Sequence, residues 1–239
     1  MSHAPAASHA GHNHGSGHGH DHGSEHGHSS IGHVIDHDFG AATNGKIAMW
    51  IFLVTDGLTF AGLLLGYGYL RMRNPQWPNP QELLGIALTG AATFLLICSS
   101  LSMVLSLAAA AEKKKSSMLM WLFLTALGGA GFLGIQYYEY SHLVHEGMTI
   151  SGLAKPEHLE GAWRFAGVPE NFASTFYIVT GFHGLHVTTG VIYLLVLLIK
   201  GMRQREITPE FYNVLEIGGL FWHFVDLVWI LVFTFIYLV

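Results

Sequence analysis

Residues 214–238 read VLEIGGLFWHFVDLVWILVFTFIYL, and this almost unbroken apolar run decides the fold. At a helical rise of about 1.5 Å per residue, a run of this length exceeds the hydrocarbon thickness of about 30 Å. It lacks the polar–apolar alternation of a barrel strand, so we predict a membrane-spanning helix. Three ionisable residues nevertheless stand inside it: Glu216, His223 and Asp226.

Four further apolar stretches precede this one. We predict spans at about 47–70, 83–111, 118–145, 172–200 and 214–238. The connections are short and polar apart from residues 146–171, and the first one contains prolines that stop a helix. The sequence therefore predicts an all-α integral membrane protein, with a five-helix bundle over residues 46–239.

The overall composition agrees with a lipid environment. Hydrophobic residues make up 51% of the chain and charged residues only 11%, whereas soluble domains carry about 25% charged residues. The formal net charge of −5 and the lack of a basic stripe argue against a nucleic acid partner. The one cysteine, Cys98, lies within an apolar run, where we expect a small buried side chain.

Residues 1–45 form a separate segment that is rich in histidine and glycine. Because glycine, serine and alanine offer no apolar face to bury, we expect a disordered tail. Interrupted imidazoles bind Zn, Cu or Ni in several geometries, so the tail is either a metal-binding segment or a solvated extension with incidental metal affinity. The candidate ligands are His12, His14, His18, His20, His22, His26 and His28.

Lysine and arginine are divided unequally between the two ends of the predicted bundle. Seven fall on the side of the amino terminus and four on the other side. Cytoplasmic loops carry an excess of these residues, so we predict a cytoplasmic amino terminus and a carboxyl terminus outside. The short turn with Lys113, Lys114 and Lys115 carries the most weight, because charge close to helix ends counts most.

Ionisable side chains inside the spans are the candidate functional residues, since each is costly in lipid unless it is paired or hydrated. Helical spacing places His183 and His186 on one face of the fourth span. The same spacing places the three ionisable residues of the fifth span on one face. The full candidate set is Asp56, Glu139, His183, His186, Glu216, His223 and Asp226.

Three interpretations of this set compete. Imidazoles and carboxylates on facing helices supply metal ligands, but the Glu-x-x-His repeat of di-iron bundles is missing. Chains of Asp, Glu and His also mark proton relays. The third interpretation, which we favour, is a hydrogen-bonded network that fixes helix packing and contacts lipid head groups. The sequence has no Cys-x-x-Cys-His motif and no paired cysteines, so we expect no redox centre in this chain.

Two motifs resemble cytochrome c oxidase subunit III: TGFHGLHV at 180–187 and WHFVDLVW at 222–229. Shorter matches are QYYEY at 136–140, NFASTF at 171–176, MWIFL at 49–53 and YLR at 69–71. The resemblance covers residues 46–239 and is to the short bacterial-type form, which lacks the first two of the seven helices usual in the family. All candidates but one fall on motif positions of the family. Asp56 stands where the family commonly has a glutamate, so its carboxyl reaches one methylene less far.

The resemblance implies a non-redox subunit of a proton-pumping haem-copper oxidase that reduces O₂ to water. Haem and copper would lie in partner subunits, with cytochrome c as the expected electron donor and quinol as the alternative. The expected partners are subunit I, subunit II, small subunits, phospholipids of the bacterial cytoplasmic membrane and a respiratory supercomplex. The expected role is to steady subunit I, bind phospholipid and support proton uptake. A metal or proton transporter is a remote alternative, because no internal repeat with broken helices is evident.

Overall fold

The computed structural model describes residues 43–80, 84–150, 152–153 and 168–238. Within these ranges, five helices are long and apolar enough to cross a membrane, which confirms the predicted bundle. They are α1 Asn44–Arg73, α2 Ile86–Ala111, α3 Lys115–His145, α4 Glu170–Arg203 and α5 Pro209–Phe233. The histidine-rich segment and its predicted disorder lie outside the described residues.

One π-helical turn and two short strands are also present in the described chain. A π-helical turn, Thr234–Leu238, continues α5 to the end of the described residues. Strands β1 Met148–Thr149 and β2 Gly152–Leu153 form an antiparallel pair after α3. The Tyr177 hydroxyl of α4 donates a hydrogen bond to the Met148 carbonyl at 2.8 Å, so this hairpin is attached to the bundle.

Most helices extend beyond the apolar runs that predicted them. Helix α5 begins at Pro209, before the predicted residue 214, because the Thr208 hydroxyl accepts a hydrogen bond from the Phe211 N–H at 3.2 Å. Threonine is a good capping residue, and proline is favoured at the first helical position. Hydropathy detects the apolar part of a helix, whereas its ends are set by such polar caps.

Helix α2 begins three residues after the start predicted for the second span, at about residue 83. Leu84 and Gly85 are not helical, and α2 begins at Ile86. Leu84 is buried and its N–H donates to the Pro80 carbonyl at 2.8 Å, so it packs against the bundle before α2 begins. An apolar residue that closes a loop cannot be distinguished from a helical one by hydropathy alone.

Helix α2 ends in a tight turn that leads directly into α3. Lys113 has a φ of 58°, the left-handed conformation that commonly terminates a helix. The Lys114 ammonium donates to the Glu112 carboxylate at 2.6 Å, which lowers the pKa of Glu112 and raises the pKa of Lys114. This basic turn lies at the end of the bundle where α1 begins, which we call the amino-terminal end.

Helix α5 lies at the centre of the packing, in contact with α1, α2 and α4. Trp222 and Trp229 of α5 are fully buried, and their indole N–H groups donate to Ser99 and Thr93 of α2, each at 2.9 Å. Helix α3 packs most extensively on α2 and also on α4. The expectation that Cys98 is buried is wrong: it is exposed, because α2 turns the faces with Leu96 and Ser99 inward.

Candidate functional site

The predicted ionisable residues lie at three levels along the bundle. Glu216 is near the amino-terminal end, and Glu139 is near the opposite end. The others occupy the middle turns of α1, α4 and α5. Among the described residues, the structure does not unite them in one network.

Asp56 of α1 and His186 of α4 form the acid–imidazole pair of the middle level. The Asp56 Oδ1 atom lies 3.2 Å from His186 Nε2, and both side chains are almost enclosed. Although an aspartate stands where the resemblance implies a glutamate, its shorter side chain still reaches the imidazole. The rings of Phe60 and Phe182 lie 5.3 and 4.7 Å from the His186 ring and provide an apolar wall.

Hydrogen-bond geometry fixes the number of protons in this pair. The His186 Nδ1 atom lies 2.8 Å from the Phe182 carbonyl oxygen, which can only accept, so Nδ1 carries a hydrogen. A second proton must then lie between His186 Nε2 and Asp56 Oδ1, because a bare nitrogen and a bare carboxylate repel each other at that distance. Whichever atom holds this proton, the pair has no net charge, which suits a membrane interior.

His183 is one turn from His186 but does not join the pair. It is fully buried, and neither ring nitrogen has a hydrogen-bond partner within the part of the chain that the structure describes. Its ring lies 4.8 Å from Trp229 and 5.8 Å from Phe132. His183 therefore belongs to an aromatic layer between α3, α4 and α5, and its shared face with His186 does not make it a member of a polar network.

His223 and Asp226 of α5 meet through a residue that sequence reasoning missed. The Ser100 hydroxyl of α2 lies 2.6 Å from His223 Nδ1 and also interacts with the Asp226 carboxyl. Asp226 is buried, and its Oδ1 atom has no hydrogen-bond partner among the described residues. This contact ties α2 to α5 at mid-height.

Glu139 of α3 links three helices near the end opposite the amino terminus. Its Oε1 atom lies 3.0 Å from the Thr89 hydroxyl of α2, and its Oε2 atom accepts from the Tyr237 hydroxyl at 3.2 Å. Thr89 also lies 3.1 Å from the Gly85 carbonyl, so its single hydroxyl hydrogen has two acceptors to choose from. Both Glu139 and Tyr237 are buried.

This geometry predicts different results for two substitutions of Glu139. In Glu139→Gln, the amide oxygen accepts from Tyr237 and the amide nitrogen donates to Thr89, whose own hydrogen turns to Gly85, so stability should be unchanged. In Glu139→Ala, a buried hydroxyl loses its partner, and the free energy of unfolding should fall by about 1–3 kcal/mol. Titration with sodium dodecyl sulfate in mixed micelles measures both. Equal losses in the two variants would show that the carboxyl is required as a charge or proton carrier.

Glu216 pairs with Lys46 at the amino-terminal end, where the Lys46 ammonium lies 2.7 Å from the carboxylate. The two side chains are 22% and 33% exposed, so the pair contributes at most about 1 kcal/mol. Its geometric effect is to hold the first turn of α1 against α5. Sequence reasoning counted Lys46 only as a topology signal and did not pair it.

These contacts share no side chain, yet each one joins different helices. Asp56–His186 joins α1 to α4, Ser100 joins α2 to α5, and Glu216 joins α5 to α1. Within the described ranges, no group of three or more His, Cys, Asp or Glu residues could hold a metal ion. The arrangement favours helix cohesion over a relay, because a relay needs consecutive groups within hydrogen-bonding reach.

Comparison with known proteins identifies relatives along most of the chain. The family model for cytochrome c oxidase subunit III matches residues 32–239. Subunit 3 of the cytochrome bo(3) ubiquinol oxidase of Pseudomonas putida is 33% identical over 202 residues, which are 84% of this chain and 88% of that protein. Subunit 3 of the cytochrome c oxidase of Bacillus subtilis is 33% identical over 199 residues, covering 82% of this chain and 86% of that protein. Subunit 3 of the quinol oxidase of the same organism is 32% identical over 192 residues, covering 80% and 85%.

Proposed function

Because the chain belongs to the cytochrome c oxidase subunit III family, we propose that it is the non-redox subunit that steadies the core of a proton-pumping terminal oxidase using cytochrome c. It is a multi-pass membrane protein and subunit III of a haem-copper oxidase. In this proposal haem and copper lie in subunits I and II. The observation that carries it is the engagement of mid-membrane acids and imidazoles with side chains of other helices, of which Asp56–His186 is the clearest case.

Binding of membrane phospholipid is the second part of the proposal. A groove of about 340 Å³ runs between the outer halves of α1 and α4. Its walls are small or apolar, with Gly62 and Gly66 on one side and Ile178 on the other, and Ser174 and Thr175 lie along its length. Nothing lies within 4 Å of a Cβ atom placed on either glycine, so an acyl chain has room to enter.

The charges at the two ends support an orientation in the bacterial cytoplasmic membrane. Arg71 and Arg73 lie in the last turn of α1, at the end opposite the amino terminus. The basic residues Lys46, Lys113–Lys115, Lys200, Arg203 and Arg205 lie at the amino-terminal end. By the positive-inside rule, the amino-terminal end faces the cytoplasm. Labelling of single cysteines at positions 46 and 73 in intact cells tests this, with only position 73 expected to react with an impermeant reagent.

The central experiment identifies the complex and its donor. The chain, tagged at its carboxyl terminus, is purified in mild detergent, and the associated proteins and their haem spectrum are determined. We expect subunits I and II, haem absorption that separates from this chain when the complex is dissociated, and oxidation of reduced cytochrome c. Turnover with quinol but not with cytochrome c would favour the quinol oxidase instead. Recovery of the chain without haem proteins would contradict the proposal.

Deletion of residues 1–42 should change neither assembly nor turnover, because the ionisable contacts between the described helices do not require that segment. The measurement is the yield of complex and its oxidase rate, with and without added Zn²⁺ or Cu²⁺. A full-length variant with the seven candidate histidines replaced by asparagine is the matched control. A large loss of activity in both variants without added metal, relieved when Zn²⁺ or Cu²⁺ is supplied, would instead assign the tail a metal-delivery role.

A further inference from the structure

Helices α1 and α2 both pack on α5 but not extensively on each other, so they flank the outward face of α5 as the two sides of a groove. Helix α1 packs on α5 and α4, while α2 packs on α3 and α5. Along α5, residues of the outward face change from half-buried at Leu220 and His223 to exposed at Leu227 and Leu231. An open face between two helices is a surface that either lipid or another helix can cover.

His223 stands at the middle of the membrane on this face. It lies 14 residues after Pro209 and 15 before Leu238, which at the helical rise is about 21 Å from either end. The centre of a bilayer has no water to satisfy a polar group, and lipid acyl chains have no polar atoms. A polar atom on the outside of a bundle at this depth therefore needs a partner from a neighbouring protein.

His223 uses only one of its two ring nitrogens in contacts with the described residues. Its Nδ1 atom contacts Ser100, whereas its Nε2 atom has no hydrogen-bond partner within the described ranges. The side chain is half-buried, so part of the ring faces out of the bundle. The other two histidines in the middle turns of the described spans differ. His186 uses both ring nitrogens within the chain, and His183 is wholly enclosed by aromatic rings. Among these three, only His223 offers a ring nitrogen outward.

We infer that this groove receives a transmembrane helix of the oxidase core, which places a hydroxyl or amide side chain against His223 Nε2. Such a side chain both donates and accepts, so it satisfies either tautomer of the imidazole. Asp226 and Ser100 behind the ring hold it in position, and Leu227 packs against the incoming helix. This inference rests on the proposed function, because it takes the partner from the same complex.

Site-directed photo-crosslinking distinguishes a helix from lipid in this groove. The photoreactive residue p-benzoylphenylalanine is placed at Leu227 in one variant and at Leu185 of α4 in the other, in the full chain expressed with its complex. The two leucines are matched, since both are 62% exposed and both lie in the middle turns of their helices. We expect an adduct with a core subunit at position 227, in at least tenfold higher yield than at position 185.

The outcomes separate this inference from the proposed function. Co-purification of the chain with the oxidase, combined with only lipid adducts or with equal protein adducts at both positions, would overturn the inference and leave the proposed function standing. An adduct with a second copy of this chain would also overturn it. Failure of the chain to co-purify with any haem protein would contradict the proposed function first.

A substitution at His223 gives an independent readout. His223→Leu should reduce retention of the chain on the purified complex at least fivefold. His223→Asn, whose amide still offers a polar contact, should restore most of it. Both variants are compared for their amount in the membrane, so that a loss during biosynthesis is not mistaken for loss of docking. Equal retention of parent and His223→Leu, at equal membrane levels, would contradict the inference.

Discussion

The substitution His186→Ala is expected to lower the free energy of unfolding of the chain by about 3 kcal/mol. Removing the imidazole leaves the Asp56 carboxyl without its partner in an apolar, nearly enclosed site. A buried group that loses its partner costs its full desolvation free energy. This cost is about 1–3 kcal/mol for a neutral group and about 3–5 kcal/mol for a charged one, so we take about 3 kcal/mol for the Asp56 carboxyl. The Oδ2 atom of Asp56 already lacks a hydrogen-bond partner among the described residues, so no second contact would replace the lost one.

The proton count of the pair supplies the control for this prediction. In Asp56→Asn, the side-chain amide donates to His186 Nε2, while Nδ1–H keeps its bond to the Phe182 carbonyl. The contact therefore survives with one hydrogen between the two side chains, and the loss of stability should be small. The double variant Asp56→Leu with His186→Leu removes both polar groups and should lose less than His186→Ala alone.

Titration with sodium dodecyl sulfate in mixed micelles measures the three variants, and retention of each chain on the purified oxidase gives the consequence for assembly. An Asp56→Asn variant as unstable as His186→Ala would mean that the pair needs its ionised form. A His186→Ala variant as stable as the parent would show that the pair does not tie α1 to α4.

The spans were predictable because lipid imposes one strong rule, which is that the backbone must be satisfied within each helix. The helix ends were less predictable, since they depend on single polar caps such as Thr208 and on loop residues such as Leu84. Hydropathy averages over many residues and cannot register a hydrogen bond made by one of them.

The candidate residues were found because ionisable groups are rare in lipid, but their partners were not. Ser100 and Thr89 carry short hydroxyl side chains, and such residues also bond a carbonyl one turn back in their own helix, as Thr59 does with the Thr55 carbonyl at 3.1 Å. A sequence therefore gives no signal that separates a hydroxyl joining two helices from one bound locally. Helical spacing places His183 on the same face of α4 as His186, but it does not indicate that the ring of Trp229 packs against His183.

The second large effect is expected at Gly129 of α3, where alanine should destabilise the chain by about 1–3 kcal/mol. A Cβ atom at this position would lie 2.4 Å from Trp222 Cη2 and 2.7 Å from Val191 Cγ2. The indole cannot easily move away, because Trp222 is fully buried and its N–H is bonded to Ser99. The same titration measures the loss, with Gly134→Ala as the matched control.

Gly134 lies in the same helix, and a methyl group added there would have no atom within 4 Å, so alanine should be neutral or stabilise by up to about 1 kcal/mol through helix propensity. Equal effects at the two positions would show that backbone propensity, and not the contact with Trp222, decides the outcome.

Gly190 of α4 extends the test, since its Cβ would lie 2.9 Å from Cζ3 of the same indole. Once one alanine has displaced that ring, the second has less to displace, so the double variant Gly129→Ala with Gly190→Ala should lose less than the sum of the single variants. A strictly additive loss would mean that α3 and α4 contact Trp222 independently, whereas coupling would identify this indole as the common point on which α3, α4 and α5 close.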